Sequence, residues 1–172
     1  MNIRPTRAAF ALAAVFALAA CGGSGNSNAA TDSETKITAA PACHVIRPDD
    51  ARGGRNVLLR CSGRQVIASA EAQKHMDPSV RIHFGKGGGK VIKADIETRQ
   101  AANATGKSDD AACQRAFVNA IVKFQKTAKK MGGNGVSHFR SYLDRNTLKN
   151  GEYDCEVGTF HARVLMKGSI VR

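Results

Sequence analysis

The sequence predicts an α+β fold in which a small antiparallel or mixed sheet is covered on one face by one main helix and stapled by disulfides. Three observations lead to this fold class. One long amphipathic segment follows Ser108, short alternating apolar segments lie before and after it, and four of the five cysteines follow residue 40. Strands on either side of a single helix are typical of a helix layer packed on one sheet.

The chain begins with a segment typical of a bacterial lipoprotein signal peptide. An apolar run follows Arg4 and Arg7 and ends in Leu18-Ala19-Ala20-Cys21, which has the pattern of a lipobox. A run this short predicts export and cleavage rather than a membrane span. Residues 1–20 are therefore the predicted signal peptide, and Cys21 is the predicted lipidation site, which would anchor the protein to a membrane. The alternative is an ordinary signal peptide with a chance cysteine.

The residue after Cys21 and the segment that follows it predict where the domain lies. Gly22 rather than Asp favours the outer membrane of a Gram-negative bacterium, with the domain facing the periplasm. Residues 21–40 are small and polar, which predicts a flexible tether. We expect an N-terminal hairpin and short helix over residues 41–78, and an α+β core domain over residues 79–172.

The remaining cysteines predict two disulfides. Cys43, Cys61, Cys113 and Cys155 are an even number in an exported protein. They allow three pairings. Two apolar runs, CHVIR and NVLLRC, flank the turn-rich PDDARGGR, and this hairpin pattern favours Cys43 with Cys61. We favour Cys113 with Cys155 as the second bond, which would tie a helix to a strand.

The segment after residue 68 predicts a short helix and then a hairpin. The helix covers residues 69–76 and stops at Asp77-Pro78. Residues 80–84 alternate as a half-buried strand, and a second alternating run covers residues 92–97, so a hairpin is the simplest arrangement. The loop GKGGGK between them is not a phosphate loop, because Val91 stands where Ser or Thr would hold magnesium.

The main helix is the most clearly marked element. Ser108 is a side-chain cap followed by two acids, and Met131-Gly132-Gly133 is a stop signal. One face is apolar and predicts core packing: Cys113, Phe117, Ala120, Ile121, Phe124, Ala128 and Met131. The opposite face is polar: Arg115, Asn119, Lys123, Lys126 and Lys130.

Further strands are predicted after the helix. We expect a strand over residues 136–143, a polar connection over residues 144–153, and a long final strand or strand pair over residues 155–171. Phe160, Ala162, Val164 and Met166 alternate in this last segment. Gly158 and Gly168 are expected to mark bulges or strand ends.

The charge of the chain predicts acidic partners. Lys and Arg number 26 against 14 Asp and Glu, a formal net charge of +12. A chain this basic favours polyanions, here lipopolysaccharide phosphates, anionic lipid or acidic envelope proteins, although lysines that merely solvate the surface are the alternative. The candidate contacts are Lys86, Lys90, Lys123, Lys126 and Lys130. Nucleic acid is not expected, given export and the absence of interleaved aromatic and basic residues.

Catalytic and metal motifs are weak or missing. We find no nucleophile elbow, no HExxH and no paired carboxylates in an apolar setting, so we expect neither an enzyme nor a cofactor. Of the five histidines, only His138 and His161 could meet, on neighbouring predicted strands. Two ligands make a weak metal site, so a metal or small-ligand binding lipoprotein is the alternative function.

Parts of the chain resemble known families. The stretch GKSDDAACQRAFVNAIVKFQKTAKKMGGNGV, then YDCEVG and LMKGSIV, resembles a family of small exported proteins, some of which are labelled excinuclease ATPase subunits, a label that no motif here supports. The lipidated cysteine, the tether, the cysteine at the helix start and the cysteine in the last strands resemble, more distantly, the RcsF family of envelope-stress lipoproteins. The latter resemblance implies a bond between Cys113 and Cys155 and a stress-sensing or assembly-linked role through envelope contacts.

Overall fold

The structure is a computed structural model of the chain. The predicted signal peptide, the predicted lipidation site Cys21 and the predicted tether lie outside the residues that it describes. Those residues are 41–50, 53–145, 147–148 and 151–172.

Seven strands form one mixed sheet, and one long helix packs on it, which confirms the predicted α+β class. The elements are β1 (Cys43–Arg47), β2 (Val57–Ser62), α1 (Gly63–Ala68), α2 (Ala70–Gln73), β3 (Arg81–Ile82), β4 (Val91–Asn103), α3 (Asp109–Lys130), β5 (Gly135–Ser141), a 3-10 turn (Leu143–Arg145), β6 (Glu152–Val157) and β7 (His161–Val171).

Strand β7 pairs with three other strands of the sheet, β4, β5 and β6. The strand order is β1-β2-β6-β7-β5-β3, and β4 pairs with β7 along its other edge. Ala162 and Arg163 of β7 pair with β6, whereas its later residues, 166–171, pair with β5. Only the short β3 runs parallel to its neighbour, β5. Strands β1 and β2 join this same sheet through β6, so they belong to the same layer as the later strands.

Helix α3 begins and ends where the sequence predicted. The Ser108 hydroxyl accepts a hydrogen bond from the Ala111 amide at 3.2 Å, and Met131 is the C-terminal cap. The predicted apolar face is buried from Cys113 to Ala128, while Met131 is half-buried. Removing this face from water is the main stabilising contribution of the helix.

Aromatic rings fill the space between α3 and the sheet. Phe117 stacks on Tyr153 with ring centroids 4.0 Å apart, and Phe124 meets Phe139 edge to face at 5.2 Å. Phe84 lies 6.0 Å from Phe139 and closes the cluster on the side of β3. Offset and edge-to-face ring pairs add to the stabilisation from burial alone.

Both predicted disulfides are present. Cys43 bonds Cys61, its opposite partner in the β1–β2 hairpin. Cys113 in the first part of α3 bonds Cys155 of β6. All four cysteines are buried, so both bonds lie within the core.

The predicted hairpin between residues 80–84 and 92–97 is wrong. The first segment pairs in parallel with β5, and the second belongs to β4, which pairs with β7 from residue 91 to residue 103. A ladder between strands of 13 and 11 residues satisfies far more backbone groups than a short hairpin would.

Two smaller predictions also need correction. The single helix predicted over residues 69–76 is two short helices, because Ser69 takes an extended backbone and its hydroxyl accepts from the Ala72 amide. Phe160 is 65% exposed rather than aligned with the buried Ala162, Val164 and Met166. It lies in the turn before β7 begins, outside the alternation of the strand.

Candidate functional site

The first candidate site is the exposed side of α3. Lys123, Lys126 and Lys130, which we call the lysine face, share one stripe of the helix and are exposed. Asn119 begins the same stripe, and its side-chain amide donates to the Ala101 carbonyl of β4 at 2.9 Å. This hydrogen bond fixes the stripe above the outer edge of β4.

The lysine face carries uncompensated positive charge. Among the described residues, none of its three lysines forms an ion pair. Lys129, on the other flank of the helix, pairs instead with Asp77 at 2.8 Å. Seven acidic side chains of the described residues pair with basic partners elsewhere: Glu71, Asp77, Asp95, Glu97, Asp109, Asp154 and Glu156.

The two loop lysines are separated by the structure. The Lys90 amide and carbonyl pair with the backbone of Arg172, whose guanidinium donates to the Gly132 carbonyl at 2.7 Å. Lys90 therefore lies at the same end of the domain as the C-terminus of α3. Lys86 instead lines a depression of about 350 Å³ together with Arg64 and Ile67 of α1. Of these two lysines, only Lys90 lies at the end of the domain where the lysine face ends.

The predicted meeting of His138 and His161 does not occur. His138 lies between Ser137 and Arg140, which pair with Ser169 and Lys167 near the end of β7. His161 is the first residue of β7, so the two histidines are separated by roughly 20 Å along that strand. In the part of the chain that the structure describes, no three His, Cys, Asp or Glu side chains are grouped to hold a metal ion.

A second candidate site was not predicted from the sequence. Asp95 in β4 and His138 in β5 both have left-handed backbone, with φ of 51° and 52°. Each lies where the pairing with β7 shifts register, so a bulge flanks β7 on either side. Left-handed backbone is unfavourable for residues other than glycine, and β-bulges are frequent next to active and binding sites.

Arg140 joins the two bulges. Its guanidinium donates to Asp95 Oδ1 at 2.8 Å and to the His138 carbonyl at 2.9 Å. The Asp95 amide donates to the Ser169 hydroxyl at 3.2 Å. The hydrogen bond from Arg140, together with the positive charge of Lys167, lowers the pKa of Asp95, so this carboxylate stays ionised.

These residues line an open cleft of about 750 Å³, which we call the double-bulge cleft. Its apolar lining comes from Phe84, Val91, Ala94 and Leu148. Ser169, which lines the cleft, lies on the sheet face away from α3. A Cβ on Gly168 would lie 3.3 Å from Phe124 of the helix, and the next residue, Ser169, points the opposite way.

Gly168 of β7 lies beside the two bulges. It was expected to mark a bulge or a strand end, but the bulges lie in the strands on either side of it, at Asp95 and His138. A glycine shows that backbones or rings approach closely, as Val136 and Phe124 do here. It does not show which neighbouring strand carries the extra residue.

No helix among the described residues is long and apolar enough to cross a membrane. No known protein family matches the chain, and neither a curated protein nor a solved structure was found to be similar to it.

Proposed function

We propose that the protein is a non-enzymatic outer-membrane lipoprotein whose basic α+β domain binds envelope polyanions through the lysine face. The observation that carries this proposal is the row of Lys123, Lys126 and Lys130, exposed and without ion pairs in the described residues. Lysine binds phosphate groups as a compact point charge, which suits lipopolysaccharide phosphates and anionic lipid headgroups.

The spacing of the three lysines supports a ligand with repeated charges. From Lys123 to Lys130 the helix rises about 10 Å, so the row spans more than one phosphate group. Lys90 and Lys130 extend positive charge toward one end of the domain. Attraction between exposed charges of this kind weakens strongly with salt, because the screening length is about 8 Å at physiological ionic strength.

A binding assay with a charge-matched control tests the proposal. The complete chain carrying Cys21→Ser, which lacks the acyl acceptor, is titrated with lipopolysaccharide and with anionic vesicles at low and physiological salt. We expect Lys123→Gln/Lys126→Gln/Lys130→Gln to weaken binding about tenfold or more. The control Arg47→Gln/Lys74→Gln/Lys107→Gln removes the same charge elsewhere and should weaken it much less. Equal losses, or no binding at low salt, would contradict the proposal.

The anchor and the compartment are part of the same proposal. They are supported by the lipobox that ends at Cys21 and by Gly22 after it. Expression with a labelled fatty acid should label the native chain and not the Cys21→Ser variant, and fractionation should place the labelled chain in the outer membrane. If the native chain carried no label, the proposed lipid anchor would be wrong.

A more specific form of this proposal is that the domain acts through a partner protein. The resemblance to envelope-stress lipoproteins supports sensing or assembly through an acidic envelope protein that competes for the lysine face. Crosslinking of intact cells, followed by capture of the native chain and of the lysine-face variant, tests this. A partner recovered equally with both variants would bind elsewhere.

A further inference from the structure

We propose that the double-bulge cleft binds an uncharged, hydroxyl-rich ligand of the oligosaccharide class. None of the residues that line the cleft belongs to the lysine face, so this inference does not depend on the proposed polyanion site. The cleft volume of about 750 Å³ falls within the range of small-molecule sites.

The backbone of the two bulges is built to place polar side chains in the cleft. Glycine would adopt the left-handed conformation at residues 95 and 138 without strain, yet both carry polar side chains that line the cleft. Arg140 holds both positions in place through its bonds to the Asp95 carboxylate and the His138 carbonyl. The side chains are thus placed at a cost in backbone strain, which is frequent at binding sites.

The charges that line the cleft balance each other. Its lining includes one carboxylate, Asp95, and one guanidinium, Arg140, which pair at 2.8 Å. An anionic ligand would meet the Asp95 carboxylate, and a cationic ligand would meet the Arg140 guanidinium. A ligand without net charge avoids both repulsions.

The cleft also offers a mixture of hydrogen-bonding groups. The exposed carboxylate of Asp95 is an acceptor, the imidazole of His138 offers two ring nitrogens, and Thr147 adds a hydroxyl. Hydroxyl groups of a sugar can both donate and accept, so they match this mixture. The apolar side chains of Val91, Ala94 and Leu148 provide contact for the C–H faces of sugar rings.

Calorimetric titration of the Cys21→Ser chain with chitotetraose and with maltotetraose tests the proposal. We expect saturable binding of at least one of these neutral tetrasaccharides. Asp95→Gly and His138→Gly fit the left-handed backbone, so each should keep the fold, checked by circular dichroism, while weakening binding about tenfold.

Matched variants separate this site from the polyanion site. Lys123→Gln/Lys126→Gln/Lys130→Gln should leave saccharide affinity unchanged, and Asp95→Gly should leave lipopolysaccharide affinity unchanged. Inorganic phosphate and spermidine should not compete with the sugar. The proposal is overturned if neither tetrasaccharide binds at millimolar concentration, if both glycine variants bind normally, or if either charged competitor displaces the sugar.

Discussion

Phe117 of α3 and Tyr153 of β6 stack face to face, with ring centroids 4.0 Å apart and planes 6° from parallel. The stack lies beside the Cys113–Cys155 bond, four residues after the first cysteine and two before the second. Helix and sheet are therefore joined by a covalent bond and a ring pair at the same place. The contact fixes α3 over the sheet, and with it the position of the lysine face relative to β4.

The two disulfides should contribute unequally to stability. The Cys113–Cys155 bond spans 42 residues and the Cys43–Cys61 bond spans 18. On the chain-entropy model their removal costs about 4 and 3 kcal/mol, respectively. Denaturant unfolding of the Cys113→Ala/Cys155→Ala and Cys43→Ala/Cys61→Ala chains measures the two losses, and non-reducing peptide maps of the native chain should recover both pairs. A greater loss from the hairpin bond would contradict the entropic account.

Replacing Tyr153 by phenylalanine should stabilise the fold. The Tyr153 hydroxyl is fully buried and, among the described residues, has no hydrogen-bond partner. Burial and the nearby Asp110 carboxylate raise the pKa of Tyr153, so the ring stays neutral. Because Tyr153→Phe removes an unsatisfied polar atom and keeps the ring stack, we expect the free energy of unfolding to rise by about 1 kcal/mol. A loss of stability in urea unfolding would show that the hydroxyl is hydrogen-bonded in solution.

Gln125 should be essential to stability although it is a polar residue within the core. Its side-chain oxygen accepts from the Asp77 amide at 2.9 Å, and its nitrogen donates to the Asp77 and Val80 carbonyls at 2.8 Å each. Gln125→Leu removes all three hydrogen bonds, although the Asp77 carbonyl still accepts from the Val80 amide at 3.2 Å, and should cost about 3 kcal/mol. The control Lys126→Leu, on the exposed side of the same helix, should change unfolding by less than about 0.5 kcal/mol. Similar effects of the two variants would contradict this account.

Asp77 should make stability depend on pH in the acid range. Hydrogen bonds from Lys129 and then Ser79 lower the pKa of Asp77 to about 2, from an ordinary value of 3.8. Since the folded-state pKa is the lower one, ionised Asp77 stabilises the fold above about pH 4. This contribution is lost as the pH falls toward 2.

Acid unfolding of Asp77→Asn measures this dependence. Between pH 4 and pH 2 the variant should lose less stability than the native chain does. The control Asp144→Asn changes an exposed carboxyl that has no ion pair among the described residues, and it should keep the native pH dependence. Identical pH profiles for native and Asp77→Asn chains would exclude the role of this carboxylate.

The elements that were predicted correctly are those defined by residues close together in the sequence. The cap at Ser108, the apolar stripe and the glycine stop define α3 within one stretch of chain, and the turn-rich segment before β2 favoured the Cys43–Cys61 hairpin correctly. The predicted partner of β4 was wrong because its actual partner, β7, lies about 60 residues further along the chain. An alternating apolar pattern marks a strand but does not identify a distant partner strand. The double-bulge cleft was missed for the same reason, since its two sides meet only when β4 and β5 flank β7.

The Cys43–Cys61 bond also has a mechanical consequence. It joins the first residue of β1 to its opposite residue in β2, which pairs in turn with β6. A pulling force applied to the chain before Cys43 would pass through the sulfur atoms directly into β2. Strand β1 therefore cannot be peeled from its N-terminal end. Tension applied at that point would instead be carried by the six-residue ladder between β2 and β6.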